Sequence, residues 1–134
     1  MNYWLVKSEP ETFSWDLFVS KNGDHWDGVR NYQARNNLKL MKKEDLVLFY
    51  HSGDGKEVVG LAKVKTEFYQ DPTTEDPNWV AVDLIPVRKL NKTVTLSTIK
   101  STPELSNVPL IRHTRLSVMP LDEKDFNLIL KMSD

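Results

Sequence analysis

Residues 26–38, WDGVRNYQARNNL, gather a tryptophan, a tyrosine, two arginines, three asparagines and a glutamine, with Asp27 as the one acid. Rings and hydrogen-bond donors at this density suit a ligand with apolar faces and a polar edge. From Gly28 to Lys43 there are five basic residues (Arg30, Arg35, Lys39, Lys42 and Lys43) and no acid, while the whole chain carries a net charge of -1. Charge is therefore segregated, and an anionic partner would be met by a local patch. A helix beginning near Asn31 turns its free N–H groups toward whatever precedes it. Arg30 stands at that end, and together they form a seat for a phosphate or another polar acceptor. Trp26 and Tyr32 flank the seat and could stack on a flat ligand, a contact worth about 1–3 kcal/mol per base. The same residues also fit a plainer arrangement, with Trp26 in the core, Asn31 as a helix cap and the lysines on a solvated face.

Other polar groups carry weaker signals. Tyr50-His51-Ser52 ends an apolar run and enters a glycine-rich turn. Ser52 as nucleophile, His51 as base and Asp54 as orienter would make a hydrolase. Adjacent strand residues point to opposite faces, however, and there is no G-x-S-x-G elbow. A polar pocket lining fits Tyr50, His51 and Ser52 better. The histidines at 25, 51 and 113 have no metal-ligand spacing, and the absence of cysteine excludes disulfides and thiolate sites. Lys7-Ser8-Glu9-Pro10 could bind a ligand or shape a turn. Arg112, Arg115 and Ser117 form a second small polar group before Pro120.

The elements that would position these groups follow from periodicity. Residues 2–7 (NYWLVK) read as an aromatic-rich strand, ended by the proline at 10. Ser14 is the expected N-cap of a short helix through Trp15, Leu17 and Phe18, and Asn22-Gly23-Asp24 is a turn. Ala34, Leu38 and Met41 fall at i, i+4 and i+7, giving a helix with Asn31 as N-cap and one face on the core. Residues 46–50, 57–65 and 79–87 read as strands, with Pro86 demanding a bulge or an edge. A short helix over 96–100, a last strand over 116–118 and a closing helix capped by Asp122 complete the chain. The expected class is α+β, a small curled sheet or barrel with several short helices around it.

At 134 residues this is one domain, 1–134, long enough to bury roughly 65–70% of its unfolded surface. No apolar run approaches the ~20 residues needed to cross a bilayer. Nothing at the start resembles a signal peptide. A soluble, cytoplasmic monomer with no cofactor and no membrane partner is the expectation.

Taken in order, KSEP (7–10), WDGVRNYQARNNL (26–38), FYHS (49–52), VVGLAKV (58–64), DPT (71–73) and RLSVMPL (115–121) resemble the EVE domain, a member of the PUA-like superfamily and a relative of the YTH domain. The resemblance covers nearly the whole chain. It implies a PUA-like mixed β-barrel surrounded by short helices. It also implies non-catalytic recognition of a modified base, such as a modified cytosine in DNA, or of modified RNA. The pocket it implies is lined by Ser8, Trp26, Val29, Asn31, Tyr32, Tyr50, His51 and Ser52. Arg30, Arg35 and Arg115 would serve the backbone phosphate or brace the wall, and Leu116 and Ser117 would close one side. Two other readings stay open, an enzyme acting on a nucleotide or small amide through His51 or Ser52, and a small-molecule sensor or protein-interaction module using the same pocket.

Overall fold

Strand β1 (Tyr3–Ser8) and strand β3 (Leu46–His51) are buried along nearly their whole length, which marks central strands covered on both faces. They run parallel, from Tyr3 beside Leu46 to Ser8 beside His51. A parallel pair needs a long crossover. Here the crossover holds helix α1 (Trp15–Ser20), strand β2 (Asp24–Trp26) and helix α2 (Tyr32–Leu40). The aromatic and basic stretch therefore lies in the link between two central strands.

Strands β4 (Glu57–Gln70) and β5 (Val80–Thr95) form a long antiparallel hairpin. Helix α3 (Leu96–Lys100), a 3-10 turn (Pro103–Leu105) and helix α4 (Pro109–Arg112) follow. Strand β6 (Val118–Leu121) and helix α5 (Glu123–Met132) end the chain. The computed structural model describes all residues, 1–134. The six strands make one sheet in the order β2-β5-β4-β3-β1-β6. The class is α+β with five short α-helices, and no helix is long and apolar enough to cross a membrane.

Of the curled sheet or barrel expected, the structure has an open sheet, not closed into the barrel that the resemblance implies. The terminal strands β2 and β6 do not pair with each other. Helix α2 packs against both β5 and β6 and so bridges the gap. The buried Asn37 donates its side-chain amide to the Val118 carbonyl at 2.7 Å, supplying a hydrogen bond that a neighbouring strand would otherwise give. Strand lengths also differ from expectation. Strands β4 and β5 run well past residues 65 and 87, because each satisfies the other's backbone, and the β5 extension also buries Leu90 and Val94 in the core. The bulge demanded by Pro86 is present, since the register jumps from Leu61–Arg88 to Ala62–Pro86. The last strand lies at 118–121 and contains Pro120, which an edge strand tolerates. Asp122 occupies the N-cap of α5 without making a side-chain cap bond.

An aromatic cluster fills the space between the sheet and the crossover. Phe49 of β3 has Phe18 at 5.1 Å, Trp15 at 5.2 Å and Trp26 at 5.5 Å between ring centroids. The two indoles meet it edge-on, at 78° and 82°. Such pairs add about 0.5–1.5 kcal/mol each beyond their buried area. Trp15 also lies flat on β4 at Gly60, where a Cβ would sit 2.4 Å from Cζ3. The start of α1 is fixed by two side chains. Ser14 Oγ accepts the Leu17 N–H at 3.1 Å, and His51 Nε2 accepts the Trp15 N–H at 3.0 Å.

Gly60→Ala should therefore destabilise the protein by about 1–3 kcal/mol, read as a lower urea midpoint with unchanged slope. An unchanged midpoint would show that Trp15 does not need this contact. Burial lowers the His51 pKa below its ordinary value of 6.5, and the Trp15 N–H requires an unprotonated Nε2. Below about pH 6.5 the unfolded chain takes up this proton more readily than the folded one, so stability falls on acidification. Melting curves between pH 7.5 and 5 should show that decline, and His51→Gln should remove part of it.

Candidate ligand-binding cleft

The end of β1 and the chain on either side of β2 face each other across an open cleft of about 760 Å³. This is the size of ordinary small-ligand sites, which run roughly 300–1,000 Å³. One wall is Lys7, Ser8, Glu9, Thr12 and Phe13, the other is the run Asp24–Asn31, and Ser117 closes an end. Phe13, Trp26 and Val29 are its apolar surface.

Six of the residues expected from the sequence meet here: Ser8, Trp26, Val29, Arg30, Asn31 and Ser117. Trp26 plays both parts considered for it. It is only 8% exposed and packs on Phe13, Phe18 and Phe49, yet part of it lines the cleft. Asn31 caps α2, its Oδ1 accepting the Ala34 N–H at 2.9 Å, and this leaves its amide nitrogen for the cleft. The Ser8 hydroxyl is spent on the Phe13 carbonyl, so it shapes the wall.

The other expected residues lie elsewhere. Tyr50 is buried in β3, and Leu116 is buried in the core. His51 and Ser52 are not bonded to each other. His51 holds α1, while the Ser52 hydroxyl reaches the Glu9 carboxylate at 3.0 Å and the Ser8 carbonyl at 3.2 Å. Arg115 is exposed and outside the cleft lining. Tyr32 and Arg35 stand beyond the cleft on the first turns of α2, where Tyr32 stacks on Trp79 with centroids 5.0 Å apart.

Sequence reasoning missed Phe13, Asp24, His25 and Asp27 as lining, and it missed Asp71, which stands behind the wall. Asp71 was visible only as part of a chain break, DPT. It is fully buried. Its Oδ2 accepts the Gly28 N–H at 2.8 Å and Arg30 Nη1 at 2.9 Å. Its Oδ1 accepts the Thr73 N–H at 2.7 Å and hydroxyl at 2.6 Å. Burial opposes this charge, but the bonds from Thr73, Arg30 and Gly28 outweigh it and bring the Asp71 pKa down to about 2. Gly28 has φ +73°, a left-handed conformation that suits glycine, and it turns that N–H inward.

The acids differ in what holds them. Asp24 pairs with Lys21 at 2.6 Å. Asp27 has no hydrogen-bond or ion-pair partner on another residue. Burial raises its pKa, and Asp71 and Asp24 raise it further. Beside them His25 contacts Asp83 at 2.8 Å and the Tyr69 hydroxyl at 2.7 Å. The Asp83 contact raises the His25 pKa. The cleft thus offers an apolar floor, a free amide at Asn31 and an unpaired carboxyl at Asp27. That suits a flat heterocycle with both donors and acceptors on its edge.

Known proteins are similar to this chain over nearly its whole length. The family model described as EVE domain matches residues 2–132. Thymocyte nuclear protein 1 of Mus musculus is 36% identical over 167 aligned residues, covering 99% of this chain and 74% of that protein. The crystal structure of human THYN1 in complex with 5-methylcytosine containing DNA superposes with a TM-score of 0.93 at 32% identity, over 100% of this chain and 98% of that one. A YTH domain, from the Zygosaccharomyces rouxii MRB1 protein in complex with N6-methyladenosine RNA, superposes with a TM-score of 0.61 at 14% identity, over 98% and 86% of the two chains. That last likeness concerns the fold alone. On the match across nearly its entire length, this chain belongs to the EVE domain family.

Proposed function

We propose that this protein reads a modified cytosine in DNA, holding the base in the cleft beside Trp26 without transforming it. The observation that carries the proposal is the open cleft itself, in a chain akin to one solved with 5-methylcytosine containing DNA. Phe13, Trp26 and Val29 suit the faces and methyl group of the base. Asp27 suits its exocyclic amino group, since carboxylates accept from cytosine N4. The Asn31 amide suits a carbonyl or ring nitrogen. The reading is non-catalytic because His51 and Ser52 are each committed to structural bonds and not to one another. DNA is preferred over RNA because the likeness to the RNA-bound YTH domain is too distant to carry more than the fold. The mouse relative is named a nuclear protein. A DNA reader works where DNA is, and this reading places the protein there.

A methyl group in a shaped recess is worth about 1–3 kcal/mol. Titration with single-stranded oligonucleotides, followed by tryptophan fluorescence, should therefore show about tenfold or greater preference for 5-methylcytosine over cytosine. Saturable binding to neither would sink the reading.

Two substitutions separate the base contact from its scaffold. Asp27→Ala should weaken binding of the modified oligonucleotide by about 1–3 kcal/mol and leave the melting temperature unchanged. Asp71→Asn should cost about 1.5–3 kcal/mol of stability and weaken binding as well, because Gly28 and Arg30 lose their anchor.

A further inference from the structure

Just outside the cleft stands a group of side chains of which only Arg30 belongs to the cleft. Tyr32 stacks on Trp79 at 5.0 Å and 30°. The Arg30 guanidinium lies over the Trp79 ring at 5.5 Å, and that of Arg35 over the Tyr32 ring at 5.1 Å. A ring has two faces, so the four groups form a cation–ring–ring–cation sandwich. Arg30 belongs to both structures, since it also lines the cleft. The sandwich is thus continuous with the cleft wall.

Its packing does not explain its exposure. Tyr32 is 62% exposed, although tyrosines that serve only a core are covered. The two arginines also differ. Arg30 is neutralised by the buried Asp71. Arg35 bonds only to neutral oxygens, those of Asn36 and of the Asn78 carbonyl. Neither Arg35 nor Lys39, one turn further along α2, takes part in an ion pair. The loop that brings Trp79 also carries Glu75 and Asp76, and neither acid pairs with Arg35 or Lys39.

We propose that the sandwich is the seat of the nucleotide adjacent to the one in the cleft, on a single DNA strand. This rests on the base-reading function proposed above. The neighbouring base takes the place of the Arg35 guanidinium on the outer face of Tyr32. The released guanidinium, with Lys39, meets the phosphate. The exchange is favourable because a base on an aromatic ring is held more strongly than an exposed cation–π contact. A phosphate is also a better partner for guanidinium than a neutral carbonyl. The sandwich keeps Tyr32 in stacking position while the site is empty, which lowers the ordering cost on binding.

The probes are 5-methyldeoxycytidine and a DNA trinucleotide with 5-methylcytosine in the middle. The wild-type protein should bind the trinucleotide more tightly than the nucleoside. Tyr32→Ala should lose roughly five- to hundredfold of the trinucleotide affinity and keep the nucleoside affinity. Being so exposed, Tyr32 can be replaced without loss of fold, and an unchanged melting temperature is the control. Arg35→Gln should lower the slope of log affinity against log salt by roughly 0.7, the share of one phosphate on a single strand. A Tyr32→Ala protein that binds the trinucleotide as tightly as wild type overturns the inference, and the cleft reading survives if the nucleoside still binds. A wild-type protein that binds neither probe overturns both. Tighter binding of the corresponding ribotrinucleotide overturns the assignment to DNA.

Discussion

The carboxylate of Asp71 holds together the parts of this molecule that face a ligand. It sits at the end of β4, fully buried, and takes four hydrogen bonds. Two come from the loop before α2 and two from its own turn. A buried charge is tolerable only when paired and bonded to this extent. The need for partners is what forces Gly28 into its left-handed turn and draws Arg30 across the wall. That in turn sets the position of Asn31, and hence the start of α2. The Asp71 backbone N–H also bonds the Trp79 carbonyl at 2.9 Å, so the same residue fixes the ring on which Tyr32 rests.

The crossover topology supplies the rest. Because β1 and β3 are parallel neighbours, the chain between them must leave the sheet, cross it and return. Both cleft walls come from β1's end and from that excursion. The aromatic cluster of Trp15, Phe18, Trp26 and Phe49 pins the excursion to the sheet, and Gly60 lets Trp15 lie against bare backbone. Trp26 can serve the core and the cleft together because an indole is large enough to be covered along most of its surface and still present one part.

Much of this was legible in the residues themselves. The α2 helix, its Asn31 cap and its buried Ala34 and Leu38 follow from local spacing, and so does the bulge at Pro86. The motif order pointed to the family. What stayed hidden depends on distant partners. Trp79 meets Tyr32 across 47 positions of sequence, and no periodicity reports such a pairing. Asp71 looked like a turn residue because only its Thr73 donors are local, while Gly28 and Arg30 lie 43 and 41 positions away. Tyr50, His51 and Ser52 were expected in the pocket because a strand end exposes side chains. Instead Tyr50 is buried within β3, and the half-buried His51 and Ser52 bond to Trp15, Ser8 and Glu9. The residues allowed a curled sheet or a barrel and the resemblance implied the barrel, but Asn37 gives α2 the means to satisfy one edge and the sheet stays open.

That helix-bridged seam divides the molecule mechanically. Five strand pairings form a continuous ladder, whose stiffness comes from cooperative backbone bonding. Across the seam the link is side-chain packing and an amide contact, which yield more easily. The N-terminal end of α2 borders the cleft, so the wall that runs from Asp24 to Asn31 begins in the ladder, at β2, and ends at the softer joint. A bulkier guest would meet stiff backbone at Trp26 and more give at the α2 end.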